Sequence, residues 1–422
     1  MTHSFDIDRK TAYSVLLRVE IDKSYSNIEL NSALKENKVN NPSFVREIVY
    51  GVIKYKYLLD FYINSFAKKI DIKDRIILRM GVYQLLYMNS VPAYAAISTS
   101  VDLAKKVRYG KDRFINGVLR NIERNRDSLI KPKDDWILYS INQDIYSLIL
   151  KQYKEEKTKN ILISSNETPN LSIRVNLNNC TVDELSSELK EDGFSVEKSK
   201  YSSRALIVNG KNLLEESSFK DGKFSVQDES SILSIDTFLE DYNGGNELII
   251  DTCAAPGGKS LAIKEKISKD SHLISCDIYD NKLKLIKKEC ERLNLSNIDI
   301  RLNDGRNLMD EYEFKAHRVL CDVPCSGLGV FRRKPEIKYK DDIDFNDLIE
   351  TQKEILNTSA RYVRDNGVLQ YSTCTINKEE NEEQIKEFLD NHNDFTLEKE
   401  ICLLPTDNVD GFYIAKMRRK CR

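Results

Sequence analysis

Apolar side chains recur at helical spacing through the first 130 residues. Positions i, i+3, i+4 and i+7 are apolar at Ala12, Val15, Leu16 and Val19, which gives one apolar face. The same spacing continues through FVREIVYGVIKYKYLLDFYINSF, RIILRMGVYQLLYM, AISTSVDLAKKV and KDRFINGVLRNIERN. Because no stretch here alternates apolar and polar residues as a strand does, residues 1–130 are predicted to form an all-α domain.

The pattern changes in two steps after residue 130. Residues 131–165 are polar with helical spacing and are predicted to form a helical connector. Residues 166–235 contain two strand-like runs, SIRVNL and RALIVNG, on either side of TVDELSSELKEDGF, which reads as a short helix with a threonine cap. These residues are predicted to form a small α+β extension of the domain that follows.

Residues 236–422 alternate short apolar strands with amphipathic helices. The strands are ELIID, HLISCD, IDIRLND, HRVLCDVPC and GVLQYSTC, and helices such as NKLKLIKKECERLN lie between them. This βαβα order predicts an α/β, Rossmann-like domain with a parallel sheet that is covered on both faces. Since such sheets bind ligands at the carboxyl ends of their strands, chemistry is expected directly after each strand.

Composition narrows the class of protein. The chain has 422 residues, of which 41% are hydrophobic and 31% charged, the balance of a globular protein with real cores. No run approaches the ~20 apolar residues of a membrane helix, and the first residues are charged where a signal peptide is apolar. A cytoplasmic protein without a membrane partner is therefore expected. Nine cysteines without a CxxC pair, and four histidines, argue against a disulfide framework or a metal site.

The net charge of −2 conceals an asymmetry. Residues 1–130 hold 22 lysines and arginines against 14 aspartates and glutamates, so the rest of the chain carries a net −10. A basic first third suits a polyanionic partner such as nucleic acid. An ordinary solvated helical surface accounts for the same charge equally well, so charge alone does not decide between them.

The sequence DTCAAPGGKS at 251–260 directly follows an apolar strand. Its small residues allow the backbone to approach a ligand closely, and the helix that follows offers N–H groups. The plain alternative is a tight turn without a ligand. The ending GKS also resembles a phosphate loop, but that loop needs a glycine five positions before Gly258, where this chain has Cys253. A nucleoside triphosphate is therefore not predicted.

Two acidic residues end the next two strands. Asp277 ends LISCD, about twenty residues after the glycine turn, where an acid typically binds the hydroxyls of a ribose. Asp304 follows the next strand, where it could accept a hydrogen bond from an exocyclic amine. Either acid alone is often only a helix cap. Together, on consecutive strands, they predict a nucleoside without a triphosphate, which describes S-adenosylmethionine.

Cysteines follow two further strands, in CDVPCSGLG at 321–329 and YSTCTIN at 371–377. C5 of cytosine becomes nucleophilic only after a thiolate has added to C6, so these motifs suit methyl transfer to that carbon. Asp322 is close enough in sequence to be the acid that assists this addition at N3. A lone strand cysteine is usually a core residue, and a zinc pair of Cys321 and Cys325 lacks further ligands. The residues alone leave open which cysteine attacks.

These motifs resemble those of the Nop2/Sun family of RNA 5-methylcytosine methyltransferases. CAAPGGK, DVPCSGLG and YSTCTIN are similar to its cofactor loop and its two cysteine motifs, and the resemblance continues in FSVQDES, RRKPEIKY and DGFYIAK. It implies that Cys374 is the nucleophile, that Cys325 promotes breakdown of the covalent intermediate and product release, and that Asp322 and Lys259 contact the cytosine. It implies that S-adenosylmethionine is bound by Cys253, Ala254, Ala255, Pro256, Gly257, Gly258, Lys259, Asp277, Asp304 and Asp322.

The first third of the chain is similar to NusB, an all-α RNA-binding fold, in FVREIVYGVIKY, VPAYAAISTSVDLAKKV and FINGVLRNI. A NusB-like domain ahead of a Nop2/Sun domain is typical of members that methylate a cytosine of bacterial small-subunit (16S) ribosomal RNA, which is the expected partner. The extension at 170–215, marked by Arg174-Val-Asn, is similar to the RNA-contacting extension of the family. Lys378 replaces a usual proline and is expected only to soften a turn.

Two other functions remain open. A pure RNA-binding or antitermination factor with an inactive α/β domain is disfavoured by the intact acids and both cysteines. A DNA cytosine-5 methyltransferase is disfavoured because that class lacks the second cysteine motif and carries a separate target-recognition domain, which is not found here. Nothing in the sequence indicates a metal or a stable oligomer, so a monomer is expected.

Overall fold

The computed structural model describes residues 6–341 and 343–421. Their contacts divide the chain into two compact units. Unit 1 comprises Met1–Asn166 and Phe331–Asp341, and unit 2 comprises Glu167–Val330 and Asp342–Arg422. Unit 1 is therefore discontinuous in sequence. Its second part begins just after the first cysteine motif, which ends at residue 329. Among the described residues, no helix is long and apolar enough to cross a membrane.

Unit 1 is helical, which confirms the all-α prediction for the first part of the chain. Asn41 caps one helix by accepting from Phe44 N–H, and Asp71 caps another by accepting from Lys73 N–H. The helices are α1 (Ile7–Ile21), α2 (Ser26–Glu36), α3 (Pro42–Lys54), α4 (Lys56–Asn64), α5 (Ile72–Tyr87), α6 (Ala93–Val107), α7 (Asp112–Arg124), α8 (Asp135–Leu138), α9 (Gln143–Tyr153) and α10 (Glu155–Ser164).

The segment Phe331–Asp341 is polar in sequence and yet largely buried within unit 1. Tyr339 belongs to the same apolar core as the helices. Lys338 is fully buried, and its ammonium group donates to the carbonyl oxygens of Lys54 and Tyr139 at 3.1 and 2.9 Å and to Asn166 Oδ1 at 2.7 Å. A buried ammonium is tolerated when its hydrogen bonds are satisfied in this way. The motif RRKPEIKY is thus a structural part of unit 1.

Unit 2 begins with a four-stranded antiparallel sheet of order β2-β3-β1-β4. This confirms the predicted small α+β unit. Thr181 and Glu184 form a capping box at the start of its longer helix, as the threonine in the sequence indicated. The elements are β1 (Ser172–Val175), α11 (Val182–Glu191), β2 (Ser195–Lys198), β3 (Ala205–Asn209), α12 (Ser217–Lys220) and β4 (Phe224–Val226).

The rest of unit 2 is built on a seven-stranded sheet of order β10-β11-β9-β8-β5-β6-β7. Its strands are β5 (Leu248–Asp251), β6 (His272–Asp277), β7 (Ile298–Leu302), β8 (Ala316–Asp322), β9 (Val363–Thr373), β10 (Phe395–Leu403) and β11 (Phe412–Arg419). Its helices are α13 (Glu229–Phe238), α14 (Gly258–Lys264), α15 (Asp280–Arg292), α16 (Phe345–Tyr362) and α17 (Glu382–Asn391).

Helices cover both faces of this sheet, as predicted. Ile249 of β5 packs in a core with α13 and α14, while the next residue, Ile250, packs in a second core with α16 and α17. Strands β5 to β9 are mutually parallel. The chain runs outward through β6 and β7 and then returns to β8 on the other side of β5. The carboxyl ends of β5 and β8 therefore flank a topological switch point, where such sheets bind ligands.

The five predicted strands are parallel, but two further strands that were not predicted make the sheet mixed. β11 pairs antiparallel with β9, and β10 pairs antiparallel with β11. β10 has the sequence FTLEKEICL and is mostly exposed, because it forms the edge of the sheet. An edge strand with this many charges has no apolar run from which a strand could be predicted.

Candidate active site

The loop 252–257 joins β5 to α14 at the switch point. Ala254 N–H donates to the carbonyl oxygen of Cys276 at 2.7 Å, and Ala255 N–H donates to Asp277 Oδ2 at 3.1 Å. The loop therefore lies against the end of β6. Gly257 has φ +108°, and a Cβ there would come within 2.9 Å of Ile286 Cγ1, so a glycine is needed on both counts.

Asp251, the first residue of this motif, supports the loop from inside. Its side chain is fully buried and accepts a hydrogen bond of 2.6 Å from Ser260 Oγ in α14. Burial raises the pKa of Asp251 to about 7, although the bond from Ser260 works in the opposite direction. This carboxyl group fixes the strand-to-helix turn and was not singled out in the sequence.

The two predicted nucleoside acids lie at the same edge of the sheet, because Asp277 is the last residue of β6 and Asp304 comes two residues after the end of β7. Asp277 Oδ1 accepts from Tyr279 N–H at 3.0 Å while Oδ2 accepts from the cofactor loop, so this carboxylate is held in one orientation. Asp304 pairs with Arg306 at 2.7 Å, and this hydrogen bond lowers the pKa of Asp304. Both carboxylates can thus accept hydrogen bonds at this edge of the sheet, although Asp304 already accepts one from Arg306.

Lys259, Asp322 and Ser372 form one hydrogen-bonded group. Lys259 Nζ donates to Asp322 Oδ2 at 2.7 Å, and Ser372 Oγ donates to Asp322 Oδ1 at 2.7 Å. Lys259 also lies 5.0 Å from the centre of the Phe412 ring. Burial alone would lower the pKa of Lys259, but attraction to Asp322 outweighs it and leaves the pKa raised. Lysine and aspartate therefore meet as an ion pair.

The two cysteine motifs meet at the ends of the adjacent strands β8 and β9. Cys325 Sγ and Cys374 Sγ are 3.3 Å apart, and both side chains are half-buried. The hydrogen bond with Cys374 and burial raise the pKa of Cys325 well above the ordinary value. Lys259 is close enough to Cys374 for their charges to interact. The geometry thus brings together all four residues that the sequence predicted as catalytic.

The remaining cysteines nearby belong to the structure of the domain. Cys321 is fully buried in a core cluster, and burial raises its pKa to about 12. Burial likewise raises the pKa of Cys276 to about 12 and that of Cys290 to about 11. Such thiols are poor nucleophiles. In the described parts of the chain, no group of three or more His, Cys, Asp or Glu side chains could hold a metal ion.

Arg174 lies in the interior of unit 2. The family resemblance made Arg174-Val-Asn the marker of the extension at 170–215, and the Arg174 side chain is fully buried. It forms two hydrogen bonds of 2.7 Å with Glu265, the residue after α14, and donates to the carbonyl oxygen of Gly258 at 3.1 Å. Arg174 therefore ties the small sheet to the cofactor loop, and no local sequence pattern indicates such a contact.

Gly329, at the end of the first cysteine motif, lies against Cys374 and against Gly411, the residue before β11. Gly329 N–H donates to the carbonyl oxygen of Cys374 at 3.1 Å, and Gly411 N–H donates to that of Gly329 at 2.8 Å. A Cβ at Gly329 would lie 2.1 Å from the oxygen of Gly411 and 2.8 Å from that of Cys374. Both obstacles are backbone atoms, which cannot rotate out of the way as a side chain can.

Replacing Gly329 with alanine is therefore expected to displace the Cys374 loop. We expect the predicted methyl transfer to fall about a hundredfold and the free energy of unfolding to fall by about 1–3 kcal/mol, the usual range for overpacking. Radioactive methyl transfer and urea unfolding measure the two effects. Gly245→Ala is the matched control, because a Cβ there meets only the Asn243 side chain at 3.7 Å. Wild-type transfer by Gly329→Ala would contradict the close backbone contact.

Three family models match the chain. Residues 238–418 match the 16S rRNA methyltransferase RsmB/F, and residues 6–124 match the NusB family. Residues 145–213 match the ferredoxin-like domain of RsmF/B-like methyltransferases. The first two matches correspond to the seven-stranded sheet and to the helical unit.

A relative from Bacillus subtilis (strain 168), named Probable ribosomal RNA small subunit methyltransferase B, is 33% identical over 98% of both chains. The chain belongs to the RsmB/F family of 16S rRNA methyltransferases. Another member, Ribosomal RNA small subunit methyltransferase B of Photorhabdus laumondii, is 31% identical over 89% of this chain and 90% of its own. The predicted membership, a NusB-like part followed by a methyltransferase part, is confirmed.

Solved structures share the fold of this RsmB/F member. PH0851 covers 99% of this chain and 100% of its own with a TM-score of 0.83 at 24% identity. NSun6 from Pyrococcus horikoshii, solved with SFG, covers 68% of this chain and 100% of its own with a TM-score of 0.61 at 20% identity. At these identities the likeness establishes the fold alone, which agrees with the predicted Rossmann-like architecture.

Proposed function

We propose that this chain transfers a methyl group from S-adenosylmethionine to C5 of a cytosine in 16S ribosomal RNA, through a covalent bond between Cys374 and C6. Membership of a 16S rRNA methyltransferase family supports the reaction class and the RNA. The choice of C5 and the covalent route rest on the thiols. Two cysteines whose sulfurs are 3.3 Å apart, beside an ion pair and a cofactor loop, suit addition at C6 better than a direct transfer.

The residues around the loop suit S-adenosylmethionine. A nucleoside offers hydroxyl and amine donors, and Asp277 and Asp304 are acceptors at the ends of adjacent strands. A triphosphate would need cations, but Lys259, at the position of a phosphate-binding lysine, is already paired with Asp322. In this proposal the backbone of 253–258 lies along the cofactor, which supplies the methyl group when bound.

The pair of Lys259 and Asp322 suits recognition of the base. Both oxygens of Asp322 accept hydrogen bonds from the protein, which is the arrangement of a carboxylate rather than of a proton donor. We therefore assign Asp322 to accept from the exocyclic amine of cytosine, and Lys259 to donate to the ring as negative charge develops there. This changes the role first predicted for Asp322, which was that of the acid at N3.

We assign the two cysteines different steps of the reaction. Cys374 adds as a thiolate to C6, and the electrons of the C5=C6 bond then form the bond from C5 to the methyl group. The bond from the methyl group to the sulfonium sulfur breaks, and S-adenosylhomocysteine is the leaving group. Afterwards the C5 proton leaves to a base, the double bond re-forms, and Cys374 departs as a thiolate. Cys325 keeps its proton more strongly than an ordinary thiol and lies 3.3 Å from Cys374, so it can donate a hydrogen bond to the departing thiolate of Cys374. On this ground we assign it to the breakdown of the adduct and product release, while a separate base accepts the C5 proton.

RNA is the expected partner of both units. The NusB family match supports RNA binding by unit 1, and the target cytosine must leave its stack, so a loop or bulge is the expected context. Because the proposed substrate is ribosomal RNA, we also propose that the protein is cytoplasmic.

The proposal is tested with methyl-labelled S-adenosylmethionine and three matched acceptors: unmodified 16S ribosomal RNA, transfer RNA and single-stranded DNA. Label on the ribosomal RNA that co-elutes with 5-methylcytidine after nuclease digestion is the expected result. Label only on transfer RNA would retain the chemistry and change the substrate, and equal label on DNA would contradict the preference for RNA. No label and no heat of cofactor binding would leave an RNA-binding protein as the better interpretation.

A further inference from the structure

A second pair of side chains lies directly behind the two thiols. Ser326 follows Cys325, and Thr375 follows Cys374. Their hydroxyl oxygens are 2.8 Å apart, and both residues are buried. The two cysteine loops are therefore joined twice, once through their sulfurs and once through the hydroxyl groups of the next residues.

Glu380 connects to both of these hydroxyl groups. Its side chain is fully buried, and its Oε1 accepts from Ser326 Oγ at 2.5 Å and from Thr375 Oγ1 at 3.4 Å. Its Oε2 accepts from Ser326 N–H at 2.8 Å. One carboxylate thus contacts the backbone and side chain of one cysteine loop and the side chain of the other.

Three further side chains donate hydrogen bonds to Glu380, two to its carboxylate and one to its backbone carbonyl oxygen. Gln352 Nε2, on α16, donates to Glu380 Oε2 at 2.9 Å and to the carbonyl oxygen of Pro324 at 3.0 Å. Asn377 Nδ2 donates to Oε1 at 3.1 Å, and Tyr371 O–H donates to the carbonyl oxygen of Glu380 at 2.7 Å. Pro324 immediately precedes Cys325, so this network also restrains the first loop from its other side.

A buried charge in a complete network contributes little stability compared with apolar packing of the same volume, but it does fix the geometry of its donors. We propose that Glu380 is a positioning residue for the reaction, which sets the separation of Cys325 and Cys374 and keeps their two roles distinct. This inference rests on the proposed function for the meaning of those roles, while the positioning itself concerns the thiols alone.

The charges around the two thiols support this division. The hydrogen bond with Cys374 and burial are the main causes that raise the pKa of Cys325, and the charges of Cys374 and Glu380 add to them. Cys374 instead interacts with the ammonium group of Lys259. Glu380 thus acts on one of the two thiols and Lys259 on the other.

Glu380→Gln tests the inference, since glutamine keeps the volume but places an N–H₂ group among donors. We expect kcat to fall at least about tenfold while KM for RNA changes less than about twofold, because no predicted RNA or base contact is altered. Peptide-resolved alkylation by iodoacetamide gives an independent readout without RNA. The excess of Cys374 over Cys325 labelling in the wild type is expected to fall about tenfold in the variant. Glu379→Gln, a half-buried neighbour outside this network, is the matched control.

Ser326→Ala is the second variant, in case Glu380→Gln does not fold. It removes one donor but keeps the bond from Ser326 N–H to Glu380, so about a threefold loss of both kcat and labelling selectivity is expected. A folded Glu380→Gln protein with wild-type selectivity, or wild-type selectivity in Ser326→Ala, would overturn the inference. If the wild type methylates no RNA, the proposed function fails, and the labelling ratio still decides whether Glu380 positions the thiols.

Discussion

Replacing Cys374 with alanine is expected to lower the rate of methyl transfer by at least about a thousandfold, because the thiolate that activates C5 is lost. Its half-buried sulfur at the end of β9 contacts Cys325, and alanine removes only that atom, so the fold should persist. Transfer of labelled methyl groups to 16S ribosomal RNA measures the effect. The circular dichroism spectrum and the unfolding midpoint should stay close to those of the wild type.

Cys325→Ala, compared with Cys374→Ala, shows which cysteine bonds to the RNA and which one releases it. If Cys325 serves breakdown of the adduct, this variant should retain the RNA on Cys374, as a band that survives denaturing electrophoresis and disappears on nuclease treatment. Cys402→Ala is the matched control, since Cys402 is exposed on the edge strand β10. A stable RNA adduct in Cys374→Ala that is lost in Cys325→Ala would reverse the two roles.

The second large effect is expected on stability, from Arg174→Leu. The guanidinium group is fully buried, and removing it leaves the carboxylate of Glu265 buried without its two bonds of 2.7 Å. Breaking such a pair costs about 3–5 kcal/mol, and the lower end applies because Arg204 lies 3.8 Å from the same carboxylate. Urea unfolding of the full chain measures the loss. Because Arg174 also bonds to Gly258, affinity for S-adenosylmethionine should fall as well.

Lys198→Ala is the control for this loss in the same small sheet. Lys198 pairs with Asp183 at 2.7 Å, but both side chains are mostly exposed, so the change should stay below about 1 kcal/mol. Equal effects of the two substitutions would show that burial of the Arg174 pair is not what matters. If Arg174→Leu weakens RNA binding without any loss of stability, the structural role assigned here to Arg174 would be wrong.

The site residues at the carboxyl ends of strands could be predicted from the sequence, because the apolar runs that mark those strands are local features of the sequence. Asp277 and Cys374 stand directly after apolar runs, and in parallel strands such ends converge at one edge of the sheet. The helices of unit 1 and the capping box at Thr181 were predictable for the same reason, since their periodicity and caps lie within a few residues.

The support of the site could not be predicted, because it depends on contacts between distant residues. Glu380 meets Ser326 across 54 positions, and Arg174 meets Glu265 across 91. No periodicity links such pairs, and in the sequence each is an ordinary polar or charged residue. The strands β10 and β11 were missed for a related reason: β11 is placed by antiparallel pairing with β9, and β10 by antiparallel pairing with β11.

The discontinuity of unit 1 has a consequence for the order in which the chain acquires its structure on the ribosome. Helices α1 to α10 emerge first, but Tyr339 and Lys338, which complete their core and satisfy their carbonyl groups, are translated long afterwards. At roughly 5–20 residues per second, on the order of ten to thirty seconds separate Asn166 from Phe331. During that interval the nascent helical bundle lacks a piece of its interior, so it is then that a chaperone would find apolar surface to bind.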